Sequence, residues 1–380
     1  MRIALAIMDM HLPGGAEHDV MNLSAGLRAA GHEPIVITEG GPLCKEIEAL
    51  GVPVVYCPLG TRNPIGLRRN AAALAAIIEE RRIDVLNPQG VYPAVSAYWA
   101  TRRLRKKGLL VPNVVTIHML GRLTWWYYRL GSAVLNHVAD HIIVESDCER
   151  LRLQRGGMRR PVSVLYNCFP SAKVQGGPDS PAEIRRRMGW PEDKVVFLMP
   201  ARMSPEKGHD VLFQALAAPA MADVPALFYL AGEGPLLQAH QAAVQSLGLA
   251  SKVVFGGFRR DVHTLLRGAD VFLLCSRAES LPLSIREAMA ASLPVLSTDV
   301  GGIAEAVENG RSGILIPPDD PPALAEAIRT LAQDAPGRQA MGRRGREISR
   351  EKFDYDQWVA GTVAVMSAVG DRMRQEASKR

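Results

Sequence analysis

The stretch from Asp270 to Gly302 constrains the fold more than any other part of the sequence. It opens with a short apolar run, Val271 to Leu274, of the kind that forms a buried parallel strand. A loop, a segment of helical periodicity and a second apolar run, Pro294 to Ser297, follow. This order of strand, loop, helix and strand predicts a βαβ unit, and ligands bind where the strands of such units end. The loop after the first strand is therefore the first candidate for a functional site.

Two glutamates bracket the start of the predicted helix. Glu279 lies in the loop, and Glu287 lies one turn inside the helix, which is predicted to begin near Ser284. The N–H groups of a first helical turn have no partner inside the helix and attract phosphate. Pro282 has no N–H, so the donors to a phosphate would be Leu283 or Ser284. The spacing of Ser284 and Glu287 also fits a capping box, in which Glu287 would only close the helix start.

The alternation of strand-like and helix-like segments runs through both halves of the chain. Strands are predicted at 2–8, 34–38, 52–56, 85–87, 114–118, 141–144, 195–199, 227–231 and 253–255. Such alternation predicts parallel, doubly wound α/β sheets. The 380 residues suffice for two domains, and the Pro-, Gly- and Ser-rich residues 171–181 indicate the connection between them.

Basic residues follow the first strand of the second half. Arg202 and Lys207 come after residues 195–199, and Gly208 and a predicted helix come next. A phosphate group that binds at such a place carries negative charge, which either a metal ion or fixed cations must stabilise. Two basic side chains beside a helix N-terminus provide such cations, although an Arg and a Lys in a loop also fit an ordinary solvated surface. Glycine-containing turns, Gly232-Glu233-Gly234-Pro235 and Gly257-Phe258, follow the next two strands.

The first half contributes a glycine loop and a histidine. Gly14 and Gly15 follow the first strand, and glycines allow a backbone to approach a ligand closely. They do not form the Gly-x-Gly-x-x-Gly fingerprint, so a nicotinamide dehydrogenase is disfavoured. His118 ends a predicted strand, where a side chain points into the ligand crevice of a parallel sheet; a lone histidine at such a place is more often structural.

Metal sites are not predicted. The five cysteines are scattered without a Cys-x-x-Cys, which argues against zinc and fits a reducing compartment. His137, His141 and Glu145 have a superficial metal-ligand spacing, but the pattern changes from helix to strand near Asp140. Asp-Tyr-Asp at 354–356 begins a predicted terminal helix, so capping of that helix explains it better than metal binding.

The positive charge of the chain is concentrated in its first half. Residues 1–175 hold 21 Lys and Arg against 14 Asp and Glu. The densest cluster, between Arg102 and Lys107, fits a solvated helix end, a surface for anionic lipid or attraction of a phosphorylated acceptor. Without interleaved aromatics it does not indicate nucleic acid. Four consecutive aromatics, 125–128, cannot all face one core. Core packing of half of them is the favoured interpretation, and the alternative is that some line an acceptor groove or sit at a membrane interface.

The sequence also bears on location. No apolar run approaches the roughly 20 residues of a membrane span, and an early Asp interrupts the N-terminus in a way that does not fit a signal peptide. We expect a cytoplasmic protein, with a possible contact at the inner face of the membrane.

These motifs resemble those of the retaining family 4 glycosyltransferases, which have the GT-B fold. The resemblance rests on ESLPLSIREAMA at 279–290, Arg202 with Lys207-Gly208, Gly232-x-Gly-Pro and Gly14-Gly15-x-Glu, which occur in the family's order and cover nearly the whole chain. The chain departs from the family at 280–282, where it has Ser-Leu-Pro instead of the frequent Gly-Phe-Gly.

The resemblance implies roles for the individual residues. Of the catalytic residues, Arg202 and Lys207 would hold the donor diphosphate, and His118 and Glu279 would lie beside the donor sugar. Glu287 would bind the ribose hydroxyls. The remaining contacts with the nucleotide sugar would come from Gly14, Gly15, Gly232, Gly257, Phe258, Leu281, Leu283 and Ser284.

The resemblance also implies an architecture and a reaction. Two Rossmann-like parallel α/β domains would face each other across a cleft: an acceptor-binding domain at 1–170, a linker at 171–191, a nucleotide-sugar-binding domain at 192–353, and a helix at 354–380 that crosses back. A sugar would move from a nucleotide sugar, UDP-linked by preference, to a hydroxyl of a saccharide, lipid-linked saccharide or small-molecule acceptor. No covalent intermediate, cofactor or metal is implied. A GDP-sugar transferase, a nucleotide-sugar epimerase of the same fold and a non-catalytic binder are the alternatives, since fold alone does not fix function.

Overall fold

The computed structural model describes residues 1–11, 14–60, 64–119 and 125–379, and contacts between Cα atoms divide the chain into two compact units. Unit 1 comprises Met1–Cys168 with Tyr355–Arg380, and unit 2 comprises Phe169–Asp354. In these described ranges, none of the helices has both the length and the hydropathy that crossing a membrane requires.

Unit 1 is built on parallel strands covered by helices. Its strands are β1 (Arg2–Ala6), β2 (Glu33–Thr38), β3 (Val54–Tyr56), β4 (Val85–Pro88), β5 (Val114–Ile117), β6 (His141–Val144) and β7 (Val162–Val164). Its first helices are α1 (Gly15–Ala29), α2 (Cys44–Ala49), α3 (Pro64–Arg81), α4 (Val91–Arg105), α5 (Trp125–Val138) and α6 (Asp147–Arg155). The strands pair in parallel in the orders β3-β2-β1-β4 and β5-β6-β7, and two parallel bridges, Leu86–Asn113 and Gln89–Thr116, join β4 to β5.

Unit 2 repeats this arrangement. Its strands are β8 (Val195–Pro200), β9 (Ala226–Ala231), β10 (Val253–Gly257), β11 (Val271–Leu274), β12 (Val295–Thr298) and β13 (Gly313–Ile316). Its helices are α7 (Ala172–Gln175), α8 (Pro181–Met188), α9 (His209–Leu216), α10 (Leu237–Ser246), α11 (Val262–Gly268), α12 (Leu283–Ala290), α13 (Ile303–Ala306), α14 (Pro321–Gln333) and α15 (Ala335–Lys352).

The strands of unit 2 form one parallel sheet in the order β10-β9-β8-β11-β12-β13. The order reverses direction between β8 and β11, and ligands bind at such a switch point, outside the carboxyl ends of the strands. Large apolar side chains such as Phe197, Phe228 and Phe272 are fully buried in this sheet, as expected when helices cover both faces. The predicted doubly wound parallel α/β class is thus confirmed.

The stretch predicted to be a linker, 171–191, differs from the prediction. It contains α7 and α8 and belongs to unit 2. The reason is local: Ser180 and Glu183 form a capping box, and Pro181 occupies the first turn of α8, a position that proline favours. The composition of the stretch indicates a loop, but its capping residues start a helix.

The last helix, α16 (Tyr355–Ser378), belongs to unit 1. The Tyr355 hydroxyl donates a hydrogen bond to the carbonyl oxygen of Asn22 in α1 at 2.6 Å. Trp358 and Val359 are buried, and a Cβ added to Gly26 would lie 2.4 Å from a Val359 methyl group. Helix α16 therefore contributes to the core of unit 1 by packing closely on α1.

Candidate active site

Lys207 and Glu279 meet at the switch point of unit 2. Lys207 ends a short 3-10 turn after β8, and Glu279 lies in the loop after β11. The Lys207 ammonium donates to Glu279 Oε1 at 2.6 Å, and the buried Ser276 hydroxyl donates to the same oxygen at 2.6 Å. Because β8 and β11 are neighbouring parallel strands, residues that follow them are brought together at one sheet edge.

Gly208 allows the turn that carries Lys207 to lie directly on the end of β11. Its φ is +66°, and an added Cβ would lie 2.0 Å from the carbonyl oxygen of Cys275. An alanine at position 208 would be strained at this φ, and its Cβ would prevent the backbone from lying so close to Cys275. The position of Lys207 therefore depends on the glycine that follows it.

Arg277 forms hydrogen bonds with the same turn, a role that the sequence did not reveal. Its backbone N–H donates to the carbonyl oxygen of Glu206, and its guanidinium donates to the carbonyl oxygen of Pro205 at 2.6 Å and to both carboxylate oxygens of Asp210. The hydrogen bonds from Arg277 lower the pKa of Asp210 below its usual range. Arg277 is a positioning residue for Lys207.

Arg202 lies in the loop between β8 and the 3-10 turn. Its side chain is exposed and makes no hydrogen bond or ion pair within the described ranges. Gly232 and Gly234 press against this loop, since added Cβ atoms would lie 2.1 Å from the Ala201 oxygen and 2.4 Å from the Met203 oxygen. The glycine turn thus supports the loop of Arg202 and leaves its guanidinium available to a ligand.

Gly257 and Phe258 follow β10. Gly257 has φ +63°, the Phe258 side chain is 49% exposed, and the Phe258 N–H lies 3.4 Å from Glu233 Oε1. The exposed ring offers an apolar face, and Glu233 offers an acceptor beside it. Arg259, the next residue, forms an ion pair with Asp261.

The start of α12 has the form needed for anion binding. Pro282 is its N-cap, and no side chain caps it, so the N–H groups of Leu283 and Ser284 stay unused by the helix. The Leu281 side chain is buried, so only its backbone is available. The capping box considered for Ser284 and Glu287 does not form, because Glu287 Oε1 contacts His263 Nε2 of α11 at 2.9 Å.

In unit 1, His118 is surrounded by side chains that the sequence analysis did not connect with it. His118 Nδ1 faces Glu145, with which it is in close contact, and Asp19 Oδ2 at 3.2 Å, while Nε2 lies 2.8 Å from Gln89 Oε1. Burial alone would lower the pKa of His118, but the carboxylates of Glu145 and Asp19 outweigh it and raise the pKa well above its ordinary value. The fold, rather than any local motif, assembles this cluster.

The superficial metal pattern of His137, His141 and Glu145 is not assembled. Glu145 contacts His118, and His141 Nε2 instead lies 2.9 Å from the Ser163 hydroxyl. The His137 ring lies tilted against the Tyr98 ring, with the ring centres 4.9 Å apart. The change of periodicity near residue 140 indicated this outcome for the two histidines.

Gly14 is the N-cap of α1, and its N–H donates to Glu17 Oε2 at 3.1 Å. A Cβ at Gly15 would meet nothing within 4 Å among the described atoms. Packing within the described chain does not require glycine at position 15, so the surface there is open to a ligand.

Of the four consecutive aromatics, Tyr128 is buried and its hydroxyl donates to Glu149 at 2.9 Å. Trp125 and Trp126 are 65% and 59% exposed at the start of α5, and the Arg129 guanidinium lies 5.3 Å from the Trp125 ring centre. Two indole rings beside a cation therefore form an exposed surface, which we call the tryptophan surface (Trp125, Trp126 and Arg129).

Comparisons with known proteins cover both units. The family model described as Glycosyltransferase Family 4 matches residues 13–172, and the one described as Glycosyl transferases group 1 matches residues 181–348. A D-inositol 3-phosphate glycosyltransferase of Geodermatophilus obscurus is 34% identical over 361 residues, covering 85% of this chain and 77% of the relative.

Two further proteins extend the comparison. The N-acetyl-alpha-D-glucosaminyl L-malate synthase of Bacillus anthracis is 27% identical over 300 residues, covering 76% of each chain. The solved structure of HepE from Anabaena in complex with UDP-glucose superposes with a TM-score of 0.83 at 24% identity, covering 96% of this chain and 99% of HepE.

Proposed function

Because the chain belongs to the family 4 glycosyltransferases of the GT-B fold, we propose that it transfers a hexosyl group from a nucleotide sugar to an acceptor hydroxyl with retention of the anomeric configuration. The observation that carries the proposal is the ion pair of Lys207 and Glu279 at the switch point of unit 2, in the segment that also carries the exposed Arg202 after β8.

The chemistry that the cations would supply follows from their donors. An ammonium has three N–H donors, and Glu279 uses one of those of Lys207, so the others can reach a phosphate oxygen. Arg202 adds a planar set of donors that suits phosphate. Together with the N–H groups of Leu283 and Ser284, they would stabilise the charge that develops on the leaving diphosphate. No step of this scheme uses a metal ion, and we expect turnover to persist in the presence of a chelator.

The rest of the donor would occupy the neighbouring loops of unit 2. Glu287 lies one turn inside α12 and would accept hydrogen bonds from the ribose hydroxyls. The exposed face of Phe258 would stack on the base, since aromatic rings stack on bases of any type, and the backbone of Gly257 would lie beside it. HepE binds UDP-glucose, and that neighbour supports a UDP-sugar over a GDP-sugar. Glu279 and His118 would lie beside the sugar.

The acceptor would bind to unit 1. Gly14 and Gly15 leave its surface open at the start of α1, where N–H groups and the basic surplus of residues 1–175 favour an acceptor that carries phosphate. The relative whose name specifies inositol 3-phosphate supports such an acceptor. A saccharide or lipid-linked saccharide is the broader class.

The membrane contact of unit 1 would use the tryptophan surface. Indole rings prefer the interface of a bilayer, and basic residues favour anionic lipid. We expect full-length protein to bind vesicles that contain anionic lipid, less at high salt, and Trp126→Ala to bind more weakly. Tyr56→Ala is the control, because Tyr56 is similarly exposed at 62%. Equal binding by both variants would contradict this contact.

Replacement of Lys207 tests the proposed reaction. We expect Lys207→Ala to lower kcat at least a hundredfold, the usual effect of losing a donor that stabilises developing negative charge. Lys194→Ala is the matched control, since Lys194 is also half-buried in unit 2 and its ammonium donates to the carbonyl oxygen of Ser251.

The donor for this assay is found by thermal shift with UDP-, GDP- and ADP-sugars, because a bound ligand raises the melting temperature. NMR of the product then gives its anomeric configuration. Unchanged turnover in Lys207→Ala would remove the central assignment, and an isomerised sugar without acceptor would show an epimerase.

A further inference from the structure

Three ionisable side chains of unit 1 converge on one small cavity. Asp19 comes from α1, His118 follows β5 and Glu145 follows β6. Their ligand atoms lie within 4.8 Å of one another, and all three residues line a cavity of about 10 Å³, close to the space that one water-sized particle needs. Asp19 and Glu145 are buried.

The protein fixes which nitrogen of His118 faces the carboxylates. Asn87 Nδ2 donates to the carbonyl oxygen of Val114 at 2.7 Å, so Asn87 Oδ1 accepts from Gln89 Nε2 at 2.6 Å. Gln89 Oε1 is then turned toward His118 Nε2 at 2.8 Å and accepts its proton. This outer hydrogen bond leaves Nδ1, the nitrogen that faces Asp19 and Glu145, available as a ligand, in the way that outer partners orient metal-binding histidines.

Hydrogen bonds among the described residues leave one oxygen of the cluster without a partner. His118 Nδ1 holds at most one proton and can donate it to one of the two carboxylates at a time, and it is in closer contact with Glu145. Asn167 Nδ2 donates to Asp19 Oδ2. Asp19 is only 4% exposed, and its Oδ1 has no hydrogen-bond partner in the described ranges. Burial of a carboxylate oxygen without a partner is costly.

We propose that Asp19, His118 and Glu145 bind one divalent metal ion of the kind that takes imidazole and carboxylate ligands, such as Zn²⁺ or Mn²⁺. Such an ion would accept the Nδ1 lone pair and both carboxylates at once. Zinc bonds to nitrogen and oxygen are about 2.0–2.2 Å long, so ligand atoms around one ion lie roughly 3.4 Å apart. His118 Nδ1 and Asp19 Oδ2 lie 3.2 Å apart, near this value.

The ion would link α1 and the ends of β5 and β6, whose three ligands are spread over more than 120 positions of the sequence. It would thereby hold the His118 ring at the carboxyl edge of the sheet. None of its ligands belongs to the residues of unit 2 that would handle the diphosphate. The site is therefore separate from the proposed diphosphate contacts but shares His118 with the proposed sugar contact, and its test uses neither donor nor acceptor.

The test is metal binding by the full-length chain, freed of any affinity tag and stripped with chelator. Titration calorimetry with Zn²⁺ and with Mn²⁺ should show one ion per chain for at least one of the metals, and that metal should raise the melting temperature. Asp19→Asn and Glu145→Gln should each weaken binding at least tenfold. Asp147→Asn should bind like the wild type, because Asp147 is half-exposed in the same unit and pairs with Arg150.

The outcomes separate the proposal from its alternatives. Absence of binding of either metal to the wild type at about 1 mM, the weak end of the range known for calcium sites in proteins, would overturn it and leave a shared proton as the occupant of the cluster. Undiminished binding in both Asp19→Asn and Glu145→Gln would place the ion elsewhere and would also overturn it. If Glu145→Gln does not fold, the wild type and Asp19→Asn decide the question.

Discussion

Replacing Gly208 by alanine tests how the turn that carries Lys207 is held against β11. The left-handed φ of +66° costs an alanine about 1–2 kcal/mol. The added Cβ would also lie 2.0 Å from the Cys275 carbonyl oxygen, and ordinary contacts are about 3.4 Å or longer. The backbone must therefore move by more than an ångström, and Lys207, the adjacent residue, moves with it.

Gly189→Ala is the matched control. Gly189 has nearly the same φ, +64°, but a Cβ there would meet nothing within 4 Å among the described atoms. For a unit of this size 1 kcal/mol lowers the melting temperature by about 2–4 °C, so Gly189→Ala should lose roughly 2–8 °C and retain full kcat. Gly208→Ala should lose more, and its kcat should fall about a hundredfold, since a misplacement of 1 Å has that effect.

Calorimetry and steady-state turnover with the identified donor measure both quantities. Equal melting temperatures and equal kcat for the two variants would refute the reasoning, because the backbone contact with Cys275 would then have no consequence. A loss of stability in Gly208→Ala with unchanged kcat would show that the turn matters to folding but not to catalysis.

Two further predictions concern unit 2. Glu287→Gln should raise KM for the donor about tenfold, because a hydrogen bond to a charged group contributes roughly 1.5 kcal/mol. The value of kcat should change little, because ribose binding is the same in the ground and transition states. An unchanged KM would contradict the role of Glu287. His209 is fully buried, its ring nitrogens have no hydrogen-bond partner in the described ranges, and burial lowers its pKa to about 3. Because the folded pKa is below the unfolded one, only the unfolded chain binds a proton at His209 between pH 6.5 and 3. The free energy of unfolding therefore falls across this range as the pH is lowered, by up to about 1.4 kcal/mol per pH unit. His209→Phe should flatten the loss in denaturant titrations from pH 7 to 4, and an unaltered slope would exclude His209 as its source.

The fold could be predicted from the sequence because its strands are short apolar runs separated by helical periodicity. The predicted strand 253–255 lies within β10, and the predicted strand 141–144 coincides with β6. The order of the strands could not be predicted from periodicity, since pairing depends on contacts between distant residues. The pairing of β8 with β11 nevertheless explains why Lys207 and Glu279, 72 positions apart, meet.

The site could be predicted where a residue belongs to a recognisable local pattern, and not where the fold alone assembles it. Arg277 looks like a surface arginine after a strand, and only the turn at 205–207 shows its role. Asp19 looks like a polar residue of an amphipathic helix, although it is buried. In residues 171–191, the capping box of Ser180 and Glu183 was a readable signal, but proline and glycine composition outweighed it.

The division of the chain also sets an order for its synthesis. The whole of unit 2 emerges from the ribosome before Tyr355 of α16 does. During that time unit 1 lacks its last helix. Val359 covers the surface of α1 around Gly26 in the complete protein. Until α16 is synthesised, this surface is exposed to solvent. The nascent chain therefore completes unit 2 before unit 1. Premature termination near residue 354 would leave unit 1 without α16.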